Sequence, residues 1–291
     1  MKPPSFSYHD PRTVADAVGL LGRLDNAKVL AGGQSLMPML AMRFVLPDHV
    51  IDLNRVDGLN YIRDEGGALH IGAMTRQRDI EFSDLVRARC PLMHEAIVQV
   101  GHRQTRNRGT LGGSLCHLDP AAELVSVAAT LEARVSVAGK AGARALDFAA
   151  FPVAYMTPAL EPDELLTGAT FPCWSGRHGH AFVEFSRRHG DFAIVSAAAL
   201  LEEDAAGKVT RAAVTLGGMG PAPVRAANLE RALVGETIDE KRLREICEPL
   251  RRLDAIDEIH APASYRRQLA VVLSRRALLK AHERVMARAA A

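Results

Sequence analysis

The sequence predicts a protein of mixed helices and strands in two domains, of which the second is of the α+β class. Its 291 residues are many for one ordinary domain and sufficient for two hydrophobic cores. Hydrophobic residues make up 48% of the chain and charged residues 24%, which is typical of a soluble globular protein. The pattern changes near residues 172–179: strands and helices alternate before this stretch, whereas strands and then helices follow it. We therefore expect domains at about residues 1–175 and 180–286.

The first part of the chain alternates short helices and strands. Residues 13–24 carry apolar side chains at helical spacing, and residues 28–31 and 50–53 are short apolar segments typical of buried strands. The first of these strands runs into a glycine pair at residues 32–33. A helix with Pro38 near its start is predicted to follow.

The next segments continue this alternation. Residues 68–74 alternate as a strand and end at Thr75, which we interpret as a helix N-cap. Pro91 opens a predicted helix that runs to residue 100. The polar, basic stretch 101–109 predicts a loop, whose arginines face either an acidic partner or solvent.

The last elements of the first domain begin at Asp119. Asp119 followed by Pro120 predicts the N-cap and the first residue of a helix. A role as a second ribose ligand is the weaker interpretation of this aspartate. Strand-like segments at residues 134–138 and 164–171 complete the domain.

Beyond the predicted linker at residues 172–179, strands precede helices. Three strand candidates joined by short turns predict a three-stranded antiparallel sheet: residues 181–188, 192–201 and 209–216. Helical patterns follow at residues 226–233, 238–253 and 265–288. Arg266 and the other arginines of the last helix are expected on its solvent-facing side.

Two segments of the first domain pair two glycines with hydroxyl side chains. They are Ala31-Gly32-Gly33-Gln34-Ser35 and Thr110-Leu111-Gly112-Gly113-Ser114. Without a Cβ atom, the backbone can approach an anion closely, and successive amides can point at one oxygen. A helix after the first segment would add its positive end. Neither segment is GxGxxG or GxxxxGK[ST], and most glycine pairs are tight turns, so the pairs alone leave turn and ligand site open.

Composition and cysteine spacing exclude several classes of function. The formal net charge of +2 gives no reason to expect a nucleic-acid partner. No signal peptide and no apolar run of 18 residues is present, so no membrane span is expected. The four cysteines form no CxxC pair, which predicts no metal in this chain and reduced thiols in the cytoplasm; they are Cys90, Cys116, Cys173 and Cys247.

Longer motifs around both glycine pairs resemble the FAD-binding medium subunit of the xanthine oxidase and carbon monoxide dehydrogenase family. The similarity covers nearly the whole chain in family order. It is carried by AGGQSLMP at residues 31–38, IGAMT at 71–75, RNRGTLGGS at 106–114 with DPAAE at 119–123, RHGDFA at 188–193, YRRQLA at 265–270 and RRA at 275–277. Both long motifs together are far more specific than either glycine pair.

The resemblance implies which residues bind FAD. It assigns the diphosphate to Ala31, Gly32, Gly33, Gln34 and Ser35 and to Thr110, Leu111, Gly112, Gly113 and Ser114. It places Glu123 at the position of a carboxylate that contacts ribose. Val100 corresponds to an apolar position near the cofactor, and Phe192 to an aromatic beside the isoalloxazine.

The resemblance also implies a fold and a role. The expected fold is an FAD-binding domain of the vanillyl-alcohol oxidase (PCMH) type in two subdomains, about residues 1–55 and 56–175, plus a C-terminal α+β domain. The expected role is electron transfer within a molybdenum hydroxylase, a dimer of heterotrimers. A large subunit would carry the molybdenum cofactor, and a small subunit two [2Fe–2S] clusters. Electrons would pass from the clusters to FAD and on to an external acceptor.

Two alternatives stay open at this point. One is a stand-alone FAD-dependent NAD(P)H reductase, and the other is a scaffold subunit that has lost its flavin. No pair of carboxylates and no Ser/His/Asp set stands out near the glycine pairs, so we assign no catalytic residue. The substrate and the final acceptor are open, because the expected substrate pocket lies in another chain.

Overall fold

The structure, a computed structural model, describes residues 2–174 and 178–289. The chain opens with a small α/β unit, in which a parallel three-stranded sheet has the order β1-β3-β2. The Thr13 hydroxyl begins the first helix by accepting from the Asp16 amide at 3.1 Å. That helix buries Ala17, Val18 and Leu21 in the unit's core. The elements are β1 Ser7–His9, α1 Val14–Leu21, β2 Ala27–Leu30, α2 Leu36–Ala41 and β3 His49–Asp52.

A five-stranded antiparallel sheet with the order β4-β5-β10-β6-β7 organises the middle of the chain. Six helices, which lie between β5 and β6 in the chain, pack on this sheet and supply part of a core that contains Leu69, Met93 and Phe171. Its elements are β4 Ile62–Glu65, β5 Ala68–Gly72, α3 Gln77–Phe82, α4 Asp84–Arg89, α5 Pro91–Ile97, α6 Arg103–Arg108, α7 Leu111–His117, α8 Glu123–Thr130, β6 Arg134–Gly139, β7 Gly142–Asp147, β8 Pro152–Ala154, β9 Thr157–Pro158 and β10 Leu165–Pro172.

The last part of the chain is an antiparallel sheet of four strands covered on one face by a long helix. Its strands follow one another in space as in sequence, a meander. The elements are β11 His178–Phe185, β12 Val195–Glu203, β13 Val209–Gly217, β14 Val224–Arg225, α9 Ala227–Leu233, α10 Glu240–Cys247 and α11 Ala263–Ala289. Of the linker predicted at residues 172–179, residues 175–177 lie outside the described part of the chain.

Strand β12 contributes side chains to two hydrophobic cores. Side chains alternate across a strand, so its odd and even positions face opposite sides. Ala197, Ala199 and Leu201 belong to the core beneath α11, whereas Ala198 and Leu200 belong to the core of the middle sheet. The C-terminal sheet is therefore buried on both faces.

The structure confirms the α+β class and corrects four local predictions. The stretch 101–109 is not a loop, because residues 103–108 form helix α6. The sheet expected to have three strands has a short fourth one, β14. Thr75 is not a helix N-cap; its hydroxyl accepts from the Tyr61 amide and donates to the Tyr61 carbonyl. Arg266 is not solvent-facing but only 2% exposed.

The N-cap predicted at Asp119 is also wrong. Helix α8 begins at Glu123, and its N-cap is Ala122. Asp119 instead closes a turn: its Oδ1 accepts from the Ala121 amide at 2.9 Å, and its carbonyl accepts from the Ala122 amide at 2.9 Å. Asp side chains favour such turns for the same reason that they favour caps.

Candidate functional site

The first glycine pair lies in the connection between β2 and α2. Gly33 has a φ of +74°, a backbone conformation that side chains with a Cβ rarely adopt. Within residues 2–174 and 178–289, the amides of Gly32, Gly33, Gln34 and Ser35 donate to no other group. The Ser35 hydroxyl makes no capping hydrogen bond either. This bend, residues 31–35, thus presents a run of free donors, as an anion-binding nest does.

The second glycine pair is built differently from the first, and it is not a loop. Thr110 is the N-cap of α7, and its Oγ1 accepts from the Gly113 amide at 3.0 Å. The amide of Leu111 donates to the Thr75 carbonyl at 3.0 Å, and that of Gly112 to the Ala73 carbonyl at 2.8 Å. These amides are therefore occupied by the protein, and the free donors of the site come from the first bend.

Absence of side chains lets the two segments touch. A Cβ atom on Gly32 would lie 2.2 Å from the Arg108 carbonyl oxygen, and one on Gly113 would lie 3.5 Å from the Ala31 Cβ. The convergence expected from the resemblance is thus present in the fold. We call residues 31–35 and 108–114, five of which are glycines, the glycine cradle.

Arg76 joins the two halves of the glycine cradle. Its guanidinium donates to the Arg108 carbonyl and to Asn54 Oδ1, while Asn54 Nδ2 donates to the Ala31 carbonyl at 3.0 Å. A cation beside free amides increases the attraction for an anion. Reasoning from the sequence missed Arg76, because neither its spacing nor its neighbours resemble a phosphate-binding motif.

Glu123 is a buried carboxyl at the start of α8, and it is 4% exposed. Burial raises the pKa of Glu123 to about 8, and the nearby Glu184 adds to this increase. Among the described residues, no cation forms an ion pair with Glu123. A buried acceptor without a charged partner suits a ligand that donates hydroxyl groups.

Val100 and Phe192 lie in segments that contact each other. A Cβ atom on Gly190 would lie 2.4 Å from the His102 ring, and the rings of His102 and His189 stack with centroids 6.4 Å apart. Val100 is half-buried against the middle core, whereas Phe192 is 57% exposed. An exposed aromatic side chain can cover one face of a flat ring.

The arginines of residues 101–109 do not all face outward. Arg106 is buried, and its Nε donates to Glu81 Oε2 at 2.8 Å. The Arg106 guanidinium lowers the pKa of Glu81 by this hydrogen bond. Arg106 therefore faces neither an acidic partner protein nor solvent, the two orientations considered for the arginines of residues 101–109.

Comparison with known proteins assigns both halves of the chain. Residues 4–174 match the FAD binding domain in molybdopterin dehydrogenase, and residues 180–281 match the CO dehydrogenase flavoprotein C-terminal domain. This chain belongs to the family of FAD-binding medium subunits of molybdenum hydroxylases. The match confirms the resemblance, the PCMH-type fold class and FAD as the cofactor of this medium subunit, which is an oxidoreductase subunit.

Relatives of this medium subunit match it over nearly their full length. The 6-hydroxypseudooxynicotine dehydrogenase complex subunit alpha of Paenarthrobacter nicotinovorans is 38% identical over 98% of this chain and 97% of the relative. The carbon monoxide dehydrogenase medium chain of Hydrogenophaga pseudoflava is 33% identical over 96% and 97%. The caffeine dehydrogenase subunit beta of Pseudomonas sp. (strain CBB1) is 36% identical over 98% of each.

Solved structures show the same fold. Carbon monoxide dehydrogenase from Hydrogenophaga pseudoflava superposes with a TM-score of 0.94 at 34% identity, covering 98% of this medium subunit and 99% of that chain. Quinoline 2-oxidoreductase from Pseudomonas putida 86 gives the same TM-score and identity over 98% and 100%. Within the part of the chain described, no helix is long and apolar enough to cross a bilayer.

Proposed function

We propose that this medium subunit relays electrons in a molybdenum hydroxylase. It would receive them from [2Fe–2S] clusters in a small partner subunit and pass them to an external acceptor. A large subunit would hold the molybdenum cofactor, with two copies of each subunit forming a heterohexamer. The observation that carries the proposal is the glycine cradle, where free amides from one bend meet a second bare segment.

The residues of the glycine cradle fit the FAD diphosphate. The amides of residues 32–35 would donate to its oxygens, and the free hydroxyl of Ser35 adds a donor. Gly112 and Gly113 would supply a close, flat approach rather than donors, because their amides are already bonded. Arg76 would balance the charge of the diphosphate.

The remaining predicted contacts would hold the sugar and the ring. Glu123 would accept from ribose hydroxyls, as the resemblance implies. Val100 and Phe192 would flank the isoalloxazine and limit its contact with water. When bound, FAD can accept electrons singly and release them singly or in pairs. The chain's own task is to bind and orient the cofactor while leaving a ring edge accessible to the clusters.

The cytoplasm is the compartment we infer for this protein. All four cysteines are free thiols in the structure. Burial raises the pKa of Cys90 and Cys116 to about 12, so these thiols stay protonated. Free, protonated thiols fit a reducing compartment.

One experiment separates the proposal from its two alternatives. The chain is purified alone and with the partner subunits encoded for the same complex, and flavin content is measured in both. We expect FAD in the chain, flavin reduction by an oxidisable substrate only in the complex, and no reduction of the isolated chain by NAD(P)H. Reduction of the isolated chain by NAD(P)H would favour a stand-alone reductase. A colourless chain that takes up no FAD would favour a scaffold.

A further inference from the structure

The face of the C-terminal sheet that packs on the FAD-binding domain is apolar at one end and polar at the other. At one end of this face, Phe182, Ala198 and Leu200 join the apolar core of the middle sheet. Two positions further along the strands, Glu184 and Ser196 occupy the same face and lie opposite each other in the pairing of β11 with β12. The interface between the domains therefore ends in a polar patch.

Several polar atoms of this patch are buried without a partner. The hydroxyls of Ser126, Ser196 and Thr215 and the Oε2 atom of Glu184 form no hydrogen bond in the part of the chain the structure describes. All three hydroxyl residues are fully buried. Buried polar groups are almost always satisfied in proteins, so such a group of exceptions indicates a ligand or ordered water.

Two of these hydroxyls, those of Ser126 and Ser196, lie close together at Gly217. A Cβ atom on Gly217 would lie 2.5 Å from Ser196 Oγ and 2.6 Å from Ser126 Oγ, so the two hydroxyls, one from each domain, face the same point. Ser126 follows Glu123 by three residues on α8 and shares its helix face. The Gly218 amide donates to the Pro120 carbonyl at 2.9 Å, which fixes the two domains together at this place.

The chemistry of the cluster favours a ligand with hydroxyl groups. Burial raises the pKa of Glu184 to about 7, and Glu123 and Glu184 both lack an ion pair with any described cation. The two carboxyls and the hydroxyls of Ser126 and Ser196 offer more acceptors than donors. A sugar diol supplies two donors at adjacent carbons and can accept from the serine hydroxyls in return.

We propose that Glu184, Ser196 and Ser126 bind hydroxyl groups of the sugar part of FAD, so that the C-terminal domain closes the cofactor site. This inference rests on the proposed function, since it requires FAD in the chain. It extends the contact expected for Glu123 across the domain interface. The C-terminal domain, which already supplies Phe192 beside the ring, would thereby contact the sugar of the cofactor as well.

Titration of the flavin-free full-length chain with FAD and with ADP tests the proposal. We expect Glu184→Gln to raise the Kd for FAD about tenfold, the value of one lost hydrogen bond, and Ser196→Ala to raise it as well. Glu65→Gln, in an exposed strand, is the matched control and should bind as the wild type does. An equal loss for ADP assigns the contact to the adenosine ribose, and a loss for FAD alone assigns it to the ribityl chain.

Thermal unfolding of the flavin-free variants separates binding from folding. Because Glu184→Gln removes a buried carboxyl without a partner, its midpoint should match or exceed that of the wild type. Wild-type FAD affinity in both variants would overturn the inference and leave the proposed function standing. A loss of affinity with an equal loss of flavin-free stability would also overturn it, since the cluster would then be structural. A wild-type chain that binds no FAD would overturn the proposed function as well.

Discussion

Replacing Gly32 by alanine tests the glycine cradle with the smallest available change. The added Cβ would lie 2.2 Å from the Arg108 carbonyl oxygen and 2.8 Å from the Gly109 Cα. Ordinary contacts begin at 3.4 Å, and the opposing atoms belong to backbone, so the two segments must separate by about 1 Å. Overpacking of this kind costs about 1–3 kcal/mol.

That strain predicts a specific result for FAD binding. If the two segments separate, the free amides of residues 32–35 lose their fixed position relative to residues 108–114. We expect the Kd for FAD to rise about 10- to 100-fold, since each 1.4 kcal/mol corresponds to about a factor of ten. The assay is a titration of the flavin-free chain, followed by the quenching of flavin fluorescence, with thermal unfolding of the same protein.

Gly19→Ala is the matched control for this experiment. Gly19 lies within helix α1, and nothing is within 4 Å of a Cβ added there. Alanine favours helices over glycine by about 1 kcal/mol, so this variant should be slightly more stable and bind FAD normally. Unchanged FAD affinity in Gly32→Ala would refute the reasoning, because contact between the two segments would then not matter for the cofactor.

Three further predictions follow from the same geometry. Gly33→Val or Gly113→Val should lower the flavin content of purified protein, because Gly33 has a positive φ and a Cβ on Gly113 would meet Thr110 Oγ1 at 2.8 Å; full occupancy in both would count against the cradle. Arg76→Gln should weaken FAD binding about tenfold and make the affinity depend less on salt concentration than in the wild type. An unaltered salt dependence would show that Arg76 only holds the two segments together. Folding raises the pKa of Glu123 above its value in the unfolded chain, so the folded state favours the neutral carboxyl. The unfolding free energy of the flavin-free chain should therefore fall as the pH rises from about 5 to 8, by up to about 1.4 kcal/mol per pH unit. Glu123→Gln should flatten that slope in urea unfolding, and an identical slope would contradict the assignment.

Sequence patterns identified the main elements of this fold where one face of a helix or strand is apolar. Strands β5, β10 and β12 are buried on at least alternate positions, and their apolar residues made them visible. Strand β7 was missed because nearly every side chain in it is exposed, so its pairing with β6 leaves no hydrophobic pattern. Helix α6 was missed for a related reason, since its buried side chain is the charged Arg106.

The candidate site was predictable from the sequence only where its residues are adjacent in the chain. Both glycine segments and Glu123 belong to motifs, and the motifs gave their expected roles. The helical form of the second segment depends on carbonyls of Ala73 and Thr75, which lie more than thirty residues earlier. Arg76, His102 and Glu184 likewise acquire their positions from tertiary contacts that no local spacing encodes.

The central claim is that free amides of residues 32–35 and the bare start of α7 hold one diphosphate between them. A crystal structure of the FAD-loaded chain tests it most directly. We expect the diphosphate oxygens within hydrogen-bonding distance of at least two of these amides and in van der Waals contact with Gly112 or Gly113. A diphosphate bound elsewhere, with the glycine cradle facing solvent or another ligand, would contradict the account.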